Sequence, residues 1–385
     1  FIAVDYLVYT NEVIGNIMES YPVIPLFGAL GLISLAITWI IVRNTRQYLN
    51  HLPGWKQKGK LLCLEAAFVL LGWWAIPALA GLEHTGNKFA SELQADGIYK
   101  FYTAYTRNNL DYFQFYPTIN NKDAFAILGK MLPGITDSST RRDITDTARE
   151  VRKNVVLITV ESLSADYMAH YGNSKHLTPF LDSLADQGLF FTNLYAAGNR
   201  TVRGLEAVTL CLPPTPGESV IKRRDNKQKF GVGYIFKRRG YTVKFLYGGY
   251  SYFDNMKDFY TGNGYRVIDR DNLTDKEITF ANVWGSCDED MARKAIQEMN
   301  REAMKGQPFF NHWMTVSNHR PFTYPEGKID IPGNRNALNG GGKETDYALS
   351  KFFKMAEQRP WFNNTVFIIV ADHCASSAGK TTLPI

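Results

Sequence analysis

Residues 154–162 read Asn-Val-Val-Leu-Ile-Thr-Val-Glu-Ser, a short β-branched apolar run with a carboxylate near its end. A run this apolar, without polar alternation, is typical of a strand buried on both faces of a parallel sheet. Ligands of such sheets bind outside the carboxyl ends of the strands. Glu161 therefore stands where an α/β protein holds its chemistry. A second apolar run, residues 366–371, ends in the same way, in Asp372 and His373.

Strand-like and helix-like segments alternate from residue 154 onward, which predicts a parallel sheet with helices on both faces. The glycine-rich residues 338–342 predict a mobile loop. Besides the two runs above, the expected strands are residues 189–195, 241–247 and 309–316. The expected helices are residues 177–188, 201–210, 232–239, 288–303 and 343–358.

Two long apolar segments precede this alternation. Residues 23–42 carry no charge over a length that spans a hydrocarbon core, and residues 61–81 are similar apart from Glu65. The loop between them, residues 43–60, holds five Lys or Arg and no acid. The positive-inside rule makes this loop cytoplasmic and places everything after residue 81 on the outer side. The alternative is a pair of helices buried in a globular core.

The 385 residues thus divide into a membrane domain (1–81), a juxtamembrane helical linker (82–153) and a catalytic domain (154–385). Within the linker, residues 92–102 predict an amphipathic helix, and the aromatic-rich residues 109–116 either pack on the next domain or lie on the membrane surface. The chain begins without Met and stops soon after a strand, so we expect N-terminal and C-terminal parts to be missing.

Charge and cysteine content restrict the partners. The net charge of +6 is modest and partly concentrated in the loop 43–60, so it does not indicate nucleic acid. The four cysteines have no short metal-binding spacing. They leave open either a Cys211–Cys287 disulfide or four free thiols.

Polar side chains follow three of the predicted strands: Glu161, the pair His319-Arg320 and the pair Asp372-His373. Alone, such a carboxylate often caps a helix and such a histidine is often structural. Together they are expected at one edge of one sheet, which favours a site. Two carboxylates and a histidine suit a divalent cation. Such an ion would polarise a phosphoryl or sulfuryl oxygen.

Thr201 begins a predicted helix within the segment 198–204 (GNRTVRG). Free amide groups and the helix dipole favour an anion at that position. Thr201 is then either a nucleophile that attacks phosphorus, with Arg203 holding phosphate oxygens, or only the cap of the helix. The metal constellation favours the nucleophile.

Five motifs carry a family resemblance: 154–163 (NVVLITVESL), 199–206 (NRTVRGLE), 245–256 (FLYGGYSYFDNM), 315–322 (TVSNHRPF) and 370–374 (VADHC). Together they resemble the lipoteichoic acid synthase and phosphoglycerol transferase group of the alkaline phosphatase/sulfatase superfamily. The resemblance implies a sulfatase-like α/β fold preceded by transmembrane helices.

By this resemblance Glu161, Thr201, Asp372 and His373 bind the metal, and Thr201 is the nucleophile. Mn²⁺ is the expected ion, with Mg²⁺ or Zn²⁺ as alternatives. His319 resembles the substrate-side histidine of the family. The expected substrate-binding residues are Arg203, His319, Arg320, Tyr247, Asp254 and Asn255.

Two departures from known patterns bear on the function, and the first leaves the choice of head group open. Tyr247-Gly248-Gly249 and Asp254 look more like the Gram-negative relatives than the Gram-positive synthases, which carry a His and an Asp at the start of this loop and a Trp later. The Cys or Ser followed by a nearby Pro and Arg that marks sulfatases is absent, which disfavours sulfate ester hydrolysis.

The sequence therefore predicts a multi-pass protein of the bacterial inner membrane with its catalytic domain in the periplasm or outside the cell. Its expected activity is phosphoglycerol transfer from phosphatidylglycerol, through a covalent Thr intermediate, to a glycan or glycerophosphate acceptor or to water. One alternative is a phosphoethanolamine transferase. The other is a non-catalytic lipid-binding or regulatory protein on the same fold.

Overall fold

The computed structural model describes residues 8–49, 54–79, 94, 96–106, 117–132, 134–135, 139–141, 147–213, 217–333 and 338–375. The chain divides into two compact units, Phe1–Thr106 with Ser376–Ile385, and Arg107–Ala375. The three-part division expected from the sequence remains a prediction.

The N-terminal unit contains four helices in its described part: α1 (Thr10–Ser20), α2 (Val23–Leu49), α3 (Trp55–Leu79) and α4 (Gly97–Thr106). By length and composition, Val23–Arg46 of α2 and Trp55–Ile76 of α3 can cross a membrane, and their apolar stretches are exposed. Both predicted apolar segments are therefore helical. The predicted helix at 92–102 overlaps α4, whereas the aromatic segment 109–116 lies outside the described residues.

A five-stranded sheet organises the second unit, after the short helix α5 (Asn121–Met131). Its strands are β1 (Asn154–Val160), β2 (Thr242–Tyr247), β3 (Arg266–Ile268), β6 (Phe309–Met314) and β7 (Thr365–Ala371), while β4 (Ala281–Asn282) and β5 (Gly285–Ser286) form a small separate hairpin. The spatial order in the sheet is β3-β2-β6-β1-β7, and every neighbouring pair is parallel. The predicted parallel α/β architecture is confirmed.

Helices cover both faces of this sheet because successive side chains of each strand point in opposite directions. Val156, Ile158 and Val160 of β1 enter one buried cluster with Trp313 of β6. Leu157 enters a second cluster on the other face. The helices are α6 (Pro179–Ala185), α7 (Thr201–Leu210), α8 (Val232–Arg238), α9 (Met256–Gly262), α10 (Asp288–Met304) and α11 (Leu338–Glu357).

Two sequence predictions are wrong. Residues 189–195 form no strand, and Leu189 is 84% exposed, because the apolar run finds no strand to pair with among the described residues. Residues 338–342 are not a loop but the first turn of α11. A Cβ on Gly340 would lie 2.0 Å from Tyr324 Oη, and one on Gly341 would lie 2.9 Å from Asn318 Oδ1. These glycines permit close packing rather than mobility.

All four cysteines, which lie in the described residues, are free. The sequence left open a Cys211–Cys287 disulfide or four free thiols, and the structure contains four free thiols. Cys287 is buried, and burial raises the pKa of its thiol because the thiolate would be desolvated.

His312 in the middle of β6 is a fully buried imidazole. Its Nε2 lies 2.7 Å from Thr159 Oγ1, and its Nδ1 lies 3.5 Å from Tyr260 Oη. Burial lowers the pKa of His312 to about 3 from its ordinary value of 6.5. The unfolded chain therefore binds this proton more tightly than the folded one. The stability that His312 contributes is complete above pH 6.5 and is lost as the pH falls.

We expect the free energy of unfolding to fall by about 2 kcal/mol more between pH 7.5 and pH 5 in the wild type than in His312→Gln. The glutamine cannot gain a proton in this range, so only the wild type carries the His312 contribution. Denaturant titrations at the two pH values measure the difference. Equal pH dependence in the two proteins would show that His312 is not held neutral by burial.

Candidate active site

Four side chains from three parts of the chain meet at the carboxyl edge of the sheet. Glu161 follows β1, Thr201 is the first residue of α7, and Asp372 and His373 follow β7. Ligand atoms of Glu161, Asp372 and His373 all lie within 4.8 Å of one another. Thr201 Oγ1 donates to Glu161 Oε2 at 3.1 Å and lies 3.5 Å from His373 Nε2. We call these four residues the acidic cluster.

Strand register explains why the two carboxylates are neighbours. Val160 of β1 pairs with Ala371 of β7, so Glu161 and Asp372 leave adjacent strands at the same level. Gly204 then brings α7 against this point. A Cβ at Gly204 would lie 2.2 Å from the Asp372 carbonyl oxygen. Only glycine allows the helix that carries Thr201 to approach so closely.

Thr201 does not cap its own helix. The N-cap position belongs to Arg200, with extended backbone, and no side chain of the described residues caps α7. The Thr201 hydroxyl bonds to Glu161 instead. Amide groups in the first turn of a helix lack intrahelical acceptors, and the dipole is positive there. The hydroxyl therefore stands at an end of α7 that is suited to an anion.

Burial and mutual charge perturb the three titrating groups of the acidic cluster. Burial by itself would raise the pKa of Glu161, but its contact with His373 and the charge of His319 lower it to about 2. Burial and the Glu161 charge raise the pKa of Asp372 well above its ordinary value. Burial opposes protonation of His373, yet the hydrogen bond to Glu161 and the two carboxylate charges raise its pKa to about 9. The cluster thus attracts positive charge.

The hydrogen bonding of Asp372 also suits a divalent cation, because one of its two carboxylate oxygens has no donor. Asp372 Oδ1 accepts from the amides of Ser162 at 2.9 Å and His373 at 2.7 Å. Its Oδ2 is buried without a hydrogen-bond partner among the described residues, and His373 Nε2 lies 3.4 Å from it. A buried carboxylate oxygen without a partner is costly unless an ion satisfies it. Two carboxylates, an imidazole and a hydroxyl form a suitable donor set.

The segment after β6 is joined to Glu161 by residues that the sequence analysis did not identify. Thr315 Oγ1 accepts from the Glu161 amide at 2.9 Å, and Asn318 Nδ2 donates to the Glu161 carbonyl at 3.0 Å. Ser162 donates from Oγ to Glu161 Oε1 at 2.7 Å. All three stand inside the quoted motifs, and Ser162 and Asn318 adjoin predicted site residues in the sequence. Membership in those motifs was the available signal.

Asp288, the first residue of α10, fixes the same segment from the other side. Its carboxylate accepts from the amides of Val316 at 2.7 Å and Ser317 at 3.1 Å, and from Thr345 Oγ1 at 2.9 Å. Burial raises the pKa of Asp288 to about 6, although these hydrogen bonds by themselves would lower it. No motif indicated this residue, because its partners lie far away in the chain.

The predicted substrate-binding residues each have defined partners in the structure. His319 packs on Trp284 with ring centroids 4.0 Å apart, and its charge acts on Glu161. The Arg320 carbonyl accepts from Trp284 Nε1 and from His319 Nδ1. Burial raises the pKa of Tyr247, followed by the charges of Glu161 and Asp254.

Arg203 is engaged elsewhere in this structure. Its Nη1 pairs with Glu206 Oε1 at 3.0 Å, and its Nη2 donates to the Gly217 carbonyl. Among the described residues no hydrogen bond or ion pair joins the Arg203 guanidinium to the acidic cluster. Asp254 pairs with Lys222, and Asn255 Nδ2 donates to the Ile221 carbonyl at 2.9 Å.

Comparison with known proteins gives the chain a family context. Residues 153–384 match the family model described as Sulfatase. A solved Vibrio parahaemolyticus protein of the alkaline phosphatase superfamily is 36% identical with a TM-score of 0.63, over 70% of this chain and 67% of that one.

Curated relatives name two activities. Lipoteichoic acid synthase 1 of Bacillus subtilis is 25% identical over 57% of this chain and 36% of its own length. Phosphoglycerol transferase I of Escherichia coli O127:H6 is 25% identical over 60% of this chain and 32% of its own length. The chain thus spans about a third of the length of these relatives.

Proposed function

Because the chain belongs to the Sulfatase family, whose model matches more than half of its length, we propose that it is a membrane-anchored, metal-dependent phosphotransferase. Its donor is phosphatidylglycerol and the transferred group is glycerol phosphate. The observation that carries the proposal is the Thr201 hydroxyl, 3.1 Å from Glu161 Oε2 within the acidic cluster. The named activities of the relatives support it.

The metal is held by Glu161, Thr201, Asp372 and His373 in this proposal. When bound, a divalent cation supplies positive charge that stabilises the phosphoryl oxygens as charge develops on them. Mn²⁺ is the expected ion, and Mg²⁺ and Zn²⁺ fit the same donors.

Thr201 Oγ1 attacks the phosphorus of the lipid, and the bond from phosphorus to the diacylglycerol oxygen breaks. The hydroxyl proton leaves along the hydrogen bond that Thr201 Oγ1 donates to Glu161 Oε2. The departing diacylglycerol oxygen takes up a proton, and we assign His319 to the leaving-group side of the phosphorus. The product is a phosphoglyceryl ester of Thr201. An acceptor hydroxyl then attacks phosphorus and loses its proton, the bond from phosphorus to Thr201 Oγ1 breaks, and Thr201 Oγ1 takes up a proton again.

A membrane anchor suits a lipid donor, because the donor stays in the bilayer. The candidate spans in α2 and α3 supply that anchor. We place the loop between them in the cytoplasm and the catalytic domain, residues 154–385, in the periplasm or outside the cell. Residues 82–153 join the two parts. The acceptor is a glycan or glycerophosphate chain, or water.

Labelled head groups test the function. The purified chain with Mn²⁺ is offered vesicles that carry head-group-labelled phosphatidylglycerol or phosphatidylethanolamine. We expect release of diacylglycerol from the first lipid and transfer of its label. Transfer from phosphatidylethanolamine alone would make the protein a phosphoethanolamine transferase. Binding of lipid without any transfer would make it a non-catalytic lipid-binding protein.

A further inference from the structure

Ser162 makes one hydrogen bond to each of the two carboxylates of the acidic cluster. Its Oγ donates to Glu161 Oε1 at 2.7 Å, and its backbone amide donates to Asp372 Oδ1 at 2.9 Å. His373 Nε2 is also near Glu161 Oε1, but at 3.4 Å. The other oxygen of each carboxylate is not bonded to Ser162. Glu161 Oε2 accepts from Thr201, and Asp372 Oδ2 has no hydrogen-bond donor among the described residues.

The backbone of Ser162 forms a left-handed turn directly after β1 and Glu161. Its φ is 53°, a region that residues other than glycine occupy uncommonly and only where the surroundings enforce it. Asn318 supplies such a constraint, because its Nδ2 donates to the Glu161 carbonyl at 3.0 Å and to the Ser162 carbonyl at 3.3 Å. The Asn318 side chain is fully buried. An enforced outlier beside a candidate site points to a functional constraint.

Hydrogen bonds to one oxygen restrict the orientation of a whole carboxylate. In metal centres, groups that bond to the ligands in this way fix the ligand orientation before the ion arrives. Their removal typically weakens metal binding or activity by about 10–100-fold. Ser162 occupies this position toward both carboxylates at once, through its side chain on Glu161 and its backbone on Asp372.

We propose that Ser162 is a positioning residue of the metal centre, which fixes one oxygen of Glu161 and one of Asp372 and leaves the other oxygen of each to a divalent cation. The inference rests on the proposed function, because it concerns the ion that this function requires. Ser162 acts through the two carboxylates and is not one of the four proposed ligands. The same hydrogen bond to Oε1 keeps Glu161 Oε2 turned toward the Thr201 hydroxyl.

Titration calorimetry of Mn²⁺ binding to the purified, metal-stripped full chain tests this role. Ser162→Ala removes the hydroxyl and keeps the amide that bonds to Asp372. We expect its Mn²⁺ affinity to fall by about tenfold to a hundredfold. Ser350→Ala is the matched control, because Ser350 is also half-buried and its Oγ donates to the Tyr347 carbonyl within its own helix at 2.7 Å. The affinity of this control should equal that of the wild type.

Ser162→Gly separates the hydroxyl from the strained backbone. Glycine adopts a positive φ readily and keeps the amide, so this variant should lose as much affinity as Ser162→Ala. The electron paramagnetic resonance spectrum of bound Mn²⁺ should change in both variants, because Glu161 is no longer held in one orientation. A residue that served folding alone would leave this spectrum as it is in the wild type.

Wild-type affinity and an unchanged spectrum in either variant would overturn the positioning role of the Ser162 hydroxyl. Weakened binding in Ser162→Ala but not in Ser162→Gly would overturn it too, because backbone strain would then be the cause. In both cases the proposed function stands if the wild type transfers glycerol phosphate. If the wild type binds Mn²⁺ but transfers from neither lipid, the proposed function fails, and the binding data alone decide the role of Ser162. If the wild type binds no Mn²⁺, both fail.

Discussion

Thr201→Val is expected to reduce phosphoglycerol transfer by a factor on the order of 10³ or more. Valine keeps the β-branched shape and removes only the hydroxyl that lies 3.1 Å from Glu161 Oε2. No other hydroxyl of the described residues combines contact with both Glu161 and His373. The measurement is release of diacylglycerol from labelled phosphatidylglycerol, with the melting temperature as a check on folding.

Thr201→Ser is the matched variant, because it retains a hydroxyl at the start of α7. It should keep part of the activity and should carry the labelled glycerol phosphate, detectable by mass spectrometry of the peptide containing residue 201. The valine variant should carry none. Full activity in Thr201→Val would mean that another group attacks the phosphorus, and it would contradict a covalent intermediate on Thr201.

Asp372→Asn is expected to abolish both metal binding and transfer while making the metal-free protein more stable. Burial and the Glu161 charge raise the pKa of Asp372, so an ionised Asp372 is unfavourable when no cation is present. Asparagine removes that charge at nearly the same volume. The variant should therefore melt at a higher temperature than the metal-free wild type.

Added Mn²⁺ should reverse the order of the melting temperatures of the wild type and Asp372→Asn. A ligand that binds only the folded state stabilises it by mass action, so the wild type should gain stability as Mn²⁺ is raised. Asp372→Asn should gain none, because it has lost a charged ligand. Asp258→Asn, at a half-exposed carboxylate, should respond like the wild type. An equal response of Asp372→Asn and the wild type would place the ion elsewhere.

The acidic cluster could be predicted because its members follow strands or begin a helix. Glu161 and the pair Asp372-His373 end unmistakable apolar runs, and the ends of parallel strands must meet at one edge. Thr201 precedes a clear helical pattern. Such local patterns are enough to assign a residue to the carboxyl edge of the sheet before its neighbours in the folded structure are known.

Asp288 and Lys222 could not be found in this way. Asp288 accepts hydrogen bonds from amides 28 and 29 positions later in the chain. Lys222 forms an ion pair with Asp254, which is 32 positions later. Nothing local distinguishes either residue from an ordinary surface charge or helix cap. Their roles come from tertiary contacts alone.

The glycines of α11 show the converse failure. Gly340 and Gly341 read as a loop because glycine is usually a helix breaker in sequence terms. In the fold the Tyr324 hydroxyl and the Asn318 side-chain oxygen pack against them, at places where a Cβ would lie within 3.0 Å of these atoms. A glycine that serves packing and a glycine that serves mobility are indistinguishable until the neighbour is known.

The position of β7 at one side of the sheet has a consequence for biosynthesis. Ser162 and Asp372, which share a hydrogen bond, lie 210 positions apart in the chain. At about 5–20 residues per second, the ribosome needs about 10–40 s to travel that far. During this interval the nascent chain holds Glu161 and Thr201 but lacks Asp372 and His373, half of the proposed donor set. A cation held as we propose therefore cannot meet all four ligands before β7 has emerged and paired with β1.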